Sequence, residues 1–375
     1  MTDYEIEMEF DEALEEFPED KQPVNLSYWN SGSEYKNRLS KILKYETEQD
    51  LFDYEYWFPK DARKLIAKKL GFSDKDYDNL LFAPISQSTL SIVTLAVFLS
   101  KQKAKLGIVA PVYFTVETCC TDLKVPYTLF EDFMENINET FDVELLLCSD
   151  CDAFWFTSPV NSCSIYYNKR VTDGIQKLLD AGKLVIIDES LCVNGMELSR
   201  TFGAQENLLY IYSPHKTLGI QGIKFSEIVV HNKYYDDIDS LEDCYGGSLN
   251  YSCQQGSVHF ASGNFDECVS FYNTFWKENL KVVKDVLGRY DFAQISPEVN
   301  GHYAMIFIDF RIDDKQFVDA MKALMKSQGY FVYPGVMQGF YSSKRFCFRI
   351  NMLLNKEDLE KGLTAVLNWM QSVKG

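Results

Sequence analysis

Short apolar runs alternate with amphipathic stretches through the middle of the chain, between about residues 80 and 230. Such runs are typical of strands buried on both faces of a parallel sheet. The runs predict strands at residues 80–83, 106–109, 154–157, 184–187, 208–212 and 227–231. The stretches between them predict helices at residues 87–103, 114–123, 168–181 and 197–204. This alternation predicts an α/β fold with a mostly parallel sheet flanked by helices.

A long helical stretch begins after about residue 260, and the strands and helices that follow predict a second, smaller α+β domain. Helices are expected at 263–288, 314–328 and 356–373, with strands at 303–310 and 345–351. Residues 1–22 are rich in Asp and Glu and are expected to form an acidic N-terminal arm. The expected small domain then comprises residues 23–75 and 290–375, and the large domain comprises residues 76–289.

Composition narrows the possible functions. The 375-residue chain has a formal net charge of −18 and no dense run of Lys and Arg, which disfavours nucleic acid and anionic membrane surfaces as partners. No apolar stretch reaches the ~20 residues of a membrane span. Ten cysteines include one CxxC pair, Cys148 and Cys151, without a second pair at metal-site spacing. We therefore expect a cytoplasmic protein with reduced thiols and no metal.

Polar residues follow four of the predicted strands, where ligands bind in parallel α/β sheets. Ser86, Gln87 and Ser88 open the helix at 87–103, and a helix N-terminus can hold phosphate through its unpaired N–H groups. The same residues would also serve as an ordinary helix cap. Asn161 follows the strand at 154–157, where its amide could donate to a ring oxygen or simply complete a turn.

Two charged residues complete the pattern. Asp188 follows four apolar residues at a strand end, where a carboxylate could pair with a protonated pyridine nitrogen, cap a helix or bind a metal. Lys216 follows the strand at 208–212, where an amine that loses its proton could form an imine with an aldehyde. A single loop lysine is usually a solvated surface charge, so the interpretation depends on the four segments together.

Together these segments resemble the class I/II aminotransferase family, whose members are pyridoxal-phosphate enzymes of fold type I. Ser158-Pro159-Val160-Asn161 resembles the segment whose Asn contacts the phenolic oxygen of the ring. Asp188-Glu189 resembles the strand end that holds the pyridine nitrogen. Ser213-Pro214-His215-Lys216 resembles the Ser-x-x-Lys motif, in which Lys216 would carry the cofactor as a Schiff base and Ser213 would bind its phosphate.

The resemblance implies roles for further residues. It assigns phosphate contacts to Ser86, Gln87 and Ser88, ring stacking to Tyr113 and a phosphate-side charge to Lys224. Arg349 would grip the substrate α-carboxylate, and Asn30 belongs to the N-terminal region expected to contact the substrate. Tyr54 resembles the tyrosine that reaches the phosphate of the neighbouring subunit. The family fold has a mostly parallel, seven-stranded type of sheet in a large domain, beside a smaller α+β domain.

The resemblance therefore implies a homodimeric, pyridoxal-phosphate-dependent aminotransferase that uses an amino acid and a keto acid. Three departures leave the reaction type open: Leu191 where many relatives have Tyr, Lys224 in place of Arg, and His215 before the lysine, as in some decarboxylases of this fold. The alternatives are a decarboxylase or β-lyase of the same fold, or a cofactor-free binding or regulatory relative.

Overall fold

The structure is a computed structural model that describes residues 1, 3–18, 21–28, 31–43, 60–193, 195–241, 244, 251–341 and 343–374. Its α-helices are α1 (Asp3–Glu15), α2 (Ser33–Ile42), α3 (Lys60–Leu70), α4 (Asp74–Tyr77), α5 (Ser88–Gln102), α6 (Thr115–Asp122), α7 (Ile137–Thr140), α8 (Val143–Leu147), α9 (Lys169–Asp180), α10 (Ser199–Phe202), α11 (Pro214–Thr217), α12 (Tyr235–Leu241), α13 (Tyr251–Ser262), α14 (Phe265–Leu287), α15 (Asp314–Gln328) and α16 (Lys356–Val373). Its strands are β1 (Val24–Asn25), β2 (Leu80–Ile85), β3 (Leu106–Val109), β4 (Tyr127–Phe130), β5 (Ala153–Thr157), β6 (Leu184–Glu189), β7 (Leu208–Tyr212), β8 (Ser226–His231), β9 (Ala293–Ile295), β10 (Tyr303–Ile308), β11 (Tyr330–Phe331) and β12 (Phe346–Asn351).

The chain forms two compact units. The terminal unit comprises Met1–Lys41, Ser162–Ile165 and Tyr272–Gly375, and the central unit comprises Ile42–Asn161 and Tyr166–Phe271.

The central unit contains a seven-stranded sheet with the order β2-β8-β7-β6-β5-β3-β4. Strands β4, β3, β5, β6 and β7 pair in parallel, whereas β8 is antiparallel to both β7 and β2. The mostly parallel α/β sheet predicted from the apolar runs is therefore confirmed. Because the parallel strands all run in one direction, the polar segments that follow them meet at one edge of the sheet.

The alternation of side chains along each strand decides which residues face helix α5. Trp155, Ile186 and Ile211 share one buried cluster with apolar residues of α5. Successive residues of a strand point to opposite faces, so the residues two positions further along point the same way as these. Asp188 therefore lies on the α5 face of the sheet, whereas Glu189 lies on the opposite face.

The terminal unit contains two small sheets. Strands β12, β10 and β9 form an antiparallel sheet in which Met305 of β10 pairs with Arg349 of β12. Strands β1 and β11 form a parallel pair. Helices α15 and α16 begin and end where the sequence periodicity predicts them, and the unit has the expected α+β character.

The N-terminal residues differ from the expected acidic arm, because most of them form helix α1 within the terminal unit. Ile6, Phe10 and Ala13 are buried, and the Phe10 ring lies 5.4 Å from that of Phe331. These three residues are spaced three or four apart, so they form one apolar stripe on the helix. The many acidic residues around the stripe conceal it in the sequence.

The two units also differ from the expected domain bounds in two other places. Residues 42–75 belong to the central unit rather than to a small domain, and residues 272–289 belong to the terminal unit. Helix α14 accounts for the second difference, because it begins in the central unit and continues into the terminal unit without interruption.

Candidate functional site

Lys216 lies in α11, the short helix that follows strand β7. Its Nζ is 4.5 Å from the centre of the Tyr113 ring and 3.5 Å from Ser88 Oγ. Lys216 is half-buried, as are Tyr113 and Ser88. The structure therefore brings together three predicted site residues that come from loops after three different strands.

The N-terminus of α5 forms one wall of this group. Gln87 is the N-cap residue and has extended backbone, but its side chain makes no capping hydrogen bond. The first N–H groups of an α-helix have no acceptor within the helix, and they carry the positive end of its dipole. Because α5 has 15 residues and begins at Ser88, this end suits an anionic group. Ser86 and Gln87 are half-buried beside it.

Asp188 lies at the carboxyl end of β6 and is 3% exposed. Its Oδ1 accepts a hydrogen bond of 3.0 Å from the backbone N–H of Ser190. No Lys or Arg among the described residues forms an ion pair with Asp188. The buried hydroxyls of Thr157, Ser158 and Ser190 have no hydrogen-bond partner among the described residues. Buried polar groups normally have partners, so this cluster at the ends of β5 and β6 suits a polar ligand.

Two other predicted residues use their polar atoms within the protein. The Asn161 amide is buried and donates to the carbonyl oxygen of Val112, 3.0 Å away. The Ser213 hydroxyl donates to Ser226 Oγ at 2.9 Å, and the Ser226 hydroxyl donates to the carbonyl oxygen of Tyr212. In this arrangement the Ser213 proton points to Ser226, so Ser213 would have to rotate before donating to a phosphate.

Glu189 lies on the face of the sheet opposite Asp188 and is fully buried. Its Oε1 accepts a 2.7 Å hydrogen bond from the backbone N–H of Leu198. Burial raises the pKa of Glu189 to about 8, although the Leu198 N–H opposes this shift. The group is therefore mainly protonated at neutral pH, and its neutral form is compatible with a site that has no cation partner.

We expect the Glu189→Gln substitution to stabilise the protein relative to wild type as the pH rises. The folded-state pKa of about 8 lies above the ordinary value of 4.5. The contribution of this group to stability is therefore complete below about pH 4.5 and is lost as the pH rises through about 8. The loss approaches about 1.4 kcal/mol per pH unit within that window, and Gln cannot ionise. Urea unfolding of both proteins at about pH 5, 7 and 9 measures the difference. A difference that stays constant across this range would contradict the assignment.

Arg349 belongs to the terminal unit and is 2% exposed. Its Nε and Nη2 donate to the carbonyl oxygen of Ser27 at 3.0 and 2.6 Å, and its Nη1 donates to Ser162 Oγ at 3.2 Å. The guanidinium carbon lies 4.4 Å from the centre of the Tyr303 ring. These contacts hold the Arg349 guanidinium rigidly. A carboxylate that binds to it would use the same N–H groups that now donate to Ser27 and Ser162.

The loop after Asn161 has the sequence Ser162-Cys163-Ser164. Ser162 and Ser164 have φ angles of +64° and +52°, in the left-handed region that favours glycine. The Ser164 hydroxyl accepts a 3.2 Å hydrogen bond from the backbone N–H of Tyr303. This hydrogen bond offsets part of the backbone strain.

Three further predicted residues differ in what the structure describes of them. Lys224 is exposed in the loop before β8, and the described residues provide it with no hydrogen bond or ion pair. Its phosphate-side role stays a prediction. Tyr54 and Asn30 lie outside the described residues, and their roles stay predictions.

Several polar residues near these groups were missed by the sequence analysis. Thr157 is the last residue of β5, and Ser190 directly follows β6. Both could have been predicted as site residues, because each is a polar residue at the end of a predicted strand. His259 and Asn264 contact the lysine segment through His215, as described below. They carried no sequence signal, because they lie more than 40 residues beyond Lys216 in a helical stretch.

The cysteines and helices add two findings. The ten cysteines are all free thiols, and no group of three His, Cys, Asp or Glu side chains within the described ranges is placed to hold a metal ion. Over the same part of the chain, no helix combines the length and apolarity needed to cross a membrane.

The sequence matches no family model and no curated protein. Solved structures do match the fold. An aminotransferase from Mycobacterium tuberculosis superposes with a TM-score of 0.74 and 15% identity, covering 98% of this chain and 96% of that one. A multiple substrate aminotransferase from Thermococcus profundus gives 0.72 and 13%, covering 96% and 95%. A pyridoxal-phosphate-bound C-S lyase from Staphylococcus hominis gives 0.69 and 16%, covering 94% and 89%.

These likenesses cover nearly the whole of each chain, and they confirm the predicted fold class. The chain has the α/β fold shared by these aminotransferase and lyase structures, with a seven-stranded, mostly parallel sheet. At such low identity the shared fold does not by itself decide the reaction, which has to be argued from the residues of the site.

Proposed function

We propose that this chain is a pyridoxal-phosphate-dependent aminotransferase that acts on an amino acid, with Lys216 as the residue that binds the cofactor covalently. The observation that carries the proposal is the position of Lys216 Nζ, which lies over the Tyr113 ring and beside Ser88 at the N-terminus of α5. Asp188 lies at the end of β6, and β6 pairs with β7, the strand that precedes Lys216. This pairing of a lysine and a buried carboxylate at one sheet edge is what such a cofactor requires.

The residues present fit this cofactor on three counts. The N-terminus of α5, with Ser86 and Ser88, would hold the phosphate. Asp188, which has no ion pair with a described residue, would accept a hydrogen bond from the protonated ring nitrogen. The hydroxyls of Thr157 and Ser158 have no partner in the part of the chain that the structure describes, and they lie at the end of the adjoining strand, where a polar ring would satisfy them.

When bound, the cofactor supplies an aldehyde that condenses with amines and a ring that withdraws electrons from the substrate Cα. The Lys216 amine, once displaced by the substrate amine, would take the proton from the substrate Cα through Nζ. The same Nζ would hold that proton and release it later as a general acid. Asp188 would keep the ring nitrogen protonated throughout, and Tyr113 would restrict the space beside the ring.

Arg349 supports transamination rather than loss of the carboxylate. We assign the substrate α-carboxylate to its guanidinium, which can form two parallel hydrogen bonds with a carboxylate. A carboxylate anchored in this way persists through amino transfer and is kept in the keto-acid product.

We further propose that the protein acts in the cytoplasm, in accord with its free thiols, and as a homodimer in which Tyr54 reaches the cofactor of the partner subunit.

The test is incubation of the purified protein, supplied with pyridoxal phosphate, with single amino acids and a keto-acid acceptor. We expect the amino group to appear on the acceptor. Release of CO2, ammonia or thiol without that transfer would overturn transamination. A protein that shows no visible absorption change with the cofactor would support the cofactor-free alternative.

A C–S lyase or decarboxylase is the second candidate. The fold of the Staphylococcus hominis C-S lyase matches almost as well as those of the aminotransferases. Leu191 and His215 also depart from the usual aminotransferase pattern, and His215 is buried directly beside Lys216. The same incubation separates the candidates, because a lyase forms product without any keto-acid acceptor.

We expect the Arg349→Lys substitution to raise the KM for the amino-acid donor by roughly 10- to 100-fold and to change kcat less. Hydrogen bonds to charged groups contribute roughly 1.5–3 kcal/mol, and Lys lacks the planar fork of Arg. Steady-state kinetics with donors that keep or lack the α-carboxylate would measure the effect. Arg345→Lys is the matched control, since Arg345 also lies over an aromatic ring in the terminal unit. Equal KM values for the two variants would contradict the assignment.

A further inference from the structure

A chain of buried hydrogen bonds starts at His215, the residue before Lys216. His215 is fully buried, and its Nε2 lies 3.0 Å from Nδ1 of His259 on α13. The other nitrogen of His259, Nε2, lies 3.1 Å from Oδ1 of Asn264, directly before α14. The chain therefore links the lysine segment to two helices that the sequence analysis did not associate with it.

The hydrogen bonds of Asn264 fix the direction of the chain. Its Nδ2 donates to the carbonyl oxygen of Ile42 at 2.8 Å and to Glu267 Oε2 at 3.0 Å, so Oδ1 must be the atom that faces His259. An oxygen there accepts, so His259 Nε2 carries the proton and His259 Nδ1 is an acceptor. It follows that His215 donates through Nε2, and that its Nδ1 has no proton.

Both imidazoles are neutral at physiological pH. Burial lowers the pKa of His215 to about 3, and the charges of His259 and Lys69 act in the same direction. Burial also lowers the pKa of His259, which the hydrogen bond to Asn264 opposes and the charge of Lys69 reinforces. The ammonium of Lys69 is itself paired with Asp266 at 2.9 Å. No imidazolium therefore adds a second positive charge beside Lys216.

The segment that carries Lys216 has little local structure of its own. Helix α11 has four residues, which is too short to be stable by itself, and Gly219 follows it with a φ of +66°. The Ser213–Ser226 hydrogen bond fixes the start of the segment. His215 fixes its centre, because its side chain forms a hydrogen bond with His259 of α13.

We propose that His215, His259 and Asn264 form a tautomer-fixed hydrogen-bond chain that positions Lys216 for attachment to an aldehyde cofactor, with His215 as a positioning residue. The inference rests on the proposed function. In the attachment, the Lys216 amine forms a C=N bond with the aldehyde carbon, and the aldehyde oxygen leaves as water with two protons from the amine. The imidazoles exchange no proton in this step, and their role is to hold the lysine segment in place.

The first experiment compares His259→Leu with His259→Asn in the full chain. The amide oxygen of Asn can take the place of Nδ1 and accept from His215, whereas Leu cannot accept. Attachment of added pyridoxal phosphate is measured by borohydride trapping and mass mapping at Lys216. We expect Leu to weaken attachment roughly three- to tenfold, as for loss of one hydrogen bond, and Asn to restore it to within about twofold of wild type.

His302→Leu is the matched control. His302 is also a fully buried imidazole with a pKa lowered to about 3, and its Nδ1 bonds the Tyr272 hydroxyl at 3.0 Å within the terminal unit. Both Leu variants should lower the melting temperature, but only His259→Leu should weaken attachment. Equal attachment in the two variants, or failure of Asn to restore it, would overturn the positioning role.

A second readout needs no cofactor. Selective ¹⁵N labelling of the four histidines reports which ring nitrogen is protonated in each. We expect His215 and His259 to carry the proton on Nε2. A His215 proton on Nδ1 would contradict the proposed hydrogen-bond chain. If wild-type protein attaches no cofactor although the tautomers are as stated, the proposed function fails and takes the positioning role with it. The hydrogen-bond chain would then stand as structure alone.

Discussion

The Lys216→Arg variant is expected to transfer amino groups more slowly than wild type by at least a factor on the order of 10³. Arginine keeps the positive charge over Tyr113, but its guanidinium stays protonated and can neither form an imine nor accept a proton from Cα. The charge at the sheet edge is thus retained while the chemistry is removed. Single-turnover transfer from amino donor to keto acid measures the loss.

Lys233→Arg provides the matched control for this substitution. Lys233 is another lysine of the central unit whose ammonium lies over a tyrosine ring, at 5.1 Å from the centre of Tyr234. It lies in the short 3₁₀ turn after β8, so the substitution should leave the transfer rate close to wild type. If Lys216→Arg retains the activity of this control, Lys216 is not the catalytic residue.

The Asp188→Asn variant is expected to lose activity by a factor on the order of 10²–10³, the range found when a preorganised electrostatic partner is removed. Asn can still accept the hydrogen bond from the Ser190 N–H, so the local fold should be kept. It cannot hold the proton on the ring nitrogen, and the ring then withdraws electrons less strongly. The measurement is kcat, together with the absorption spectrum of the bound cofactor.

Asp152→Asn is the control for loss of a carboxylate on the same sheet. Asp152 precedes β5, so it lies at the amino end of that strand, away from the site. Its carboxylate accepts a 2.9 Å hydrogen bond from the backbone N–H of Lys105. The control should keep its activity. Comparable kcat values in the two Asn variants would remove Asp188 from the proposed site.

The sequence alone was sufficient to predict the large sheet. Each apolar run between residues 80 and 231 became a strand, because strands buried on both faces leave a continuous apolar signal. Strand β4 was missed, since it lies at the sheet edge and its first residue, Tyr127, is exposed. Helix α1 was missed because its buried stripe lies among acidic residues.

The sequence was sufficient to predict that Asp188 lies at the end of one strand and that Lys216 follows the neighbouring strand, whereas the roles of both residues stay predictions. Hydrogen bonds between the side chains of distant segments were not predictable. The hydroxyl chain from Ser213 to Ser226 and the imidazole chain from His215 to His259 both depend on which face of an element a residue occupies after folding. The rigid hold of Ser27 and Ser162 on Arg349 likewise follows from the pairing of loops far apart in sequence.

Covalent attachment of pyridoxal phosphate at Lys216 is the central claim, and one measurement tests it directly. Purified protein is incubated with pyridoxal phosphate, reduced with borohydride, digested and mapped by mass spectrometry, with Lys216→Arg treated in parallel. We predict a stoichiometric pyridoxyl adduct on the peptide that contains Lys216, and its disappearance in the variant. An unmodified Lys216 peptide, or an equal adduct on other lysines in both proteins, would contradict the account.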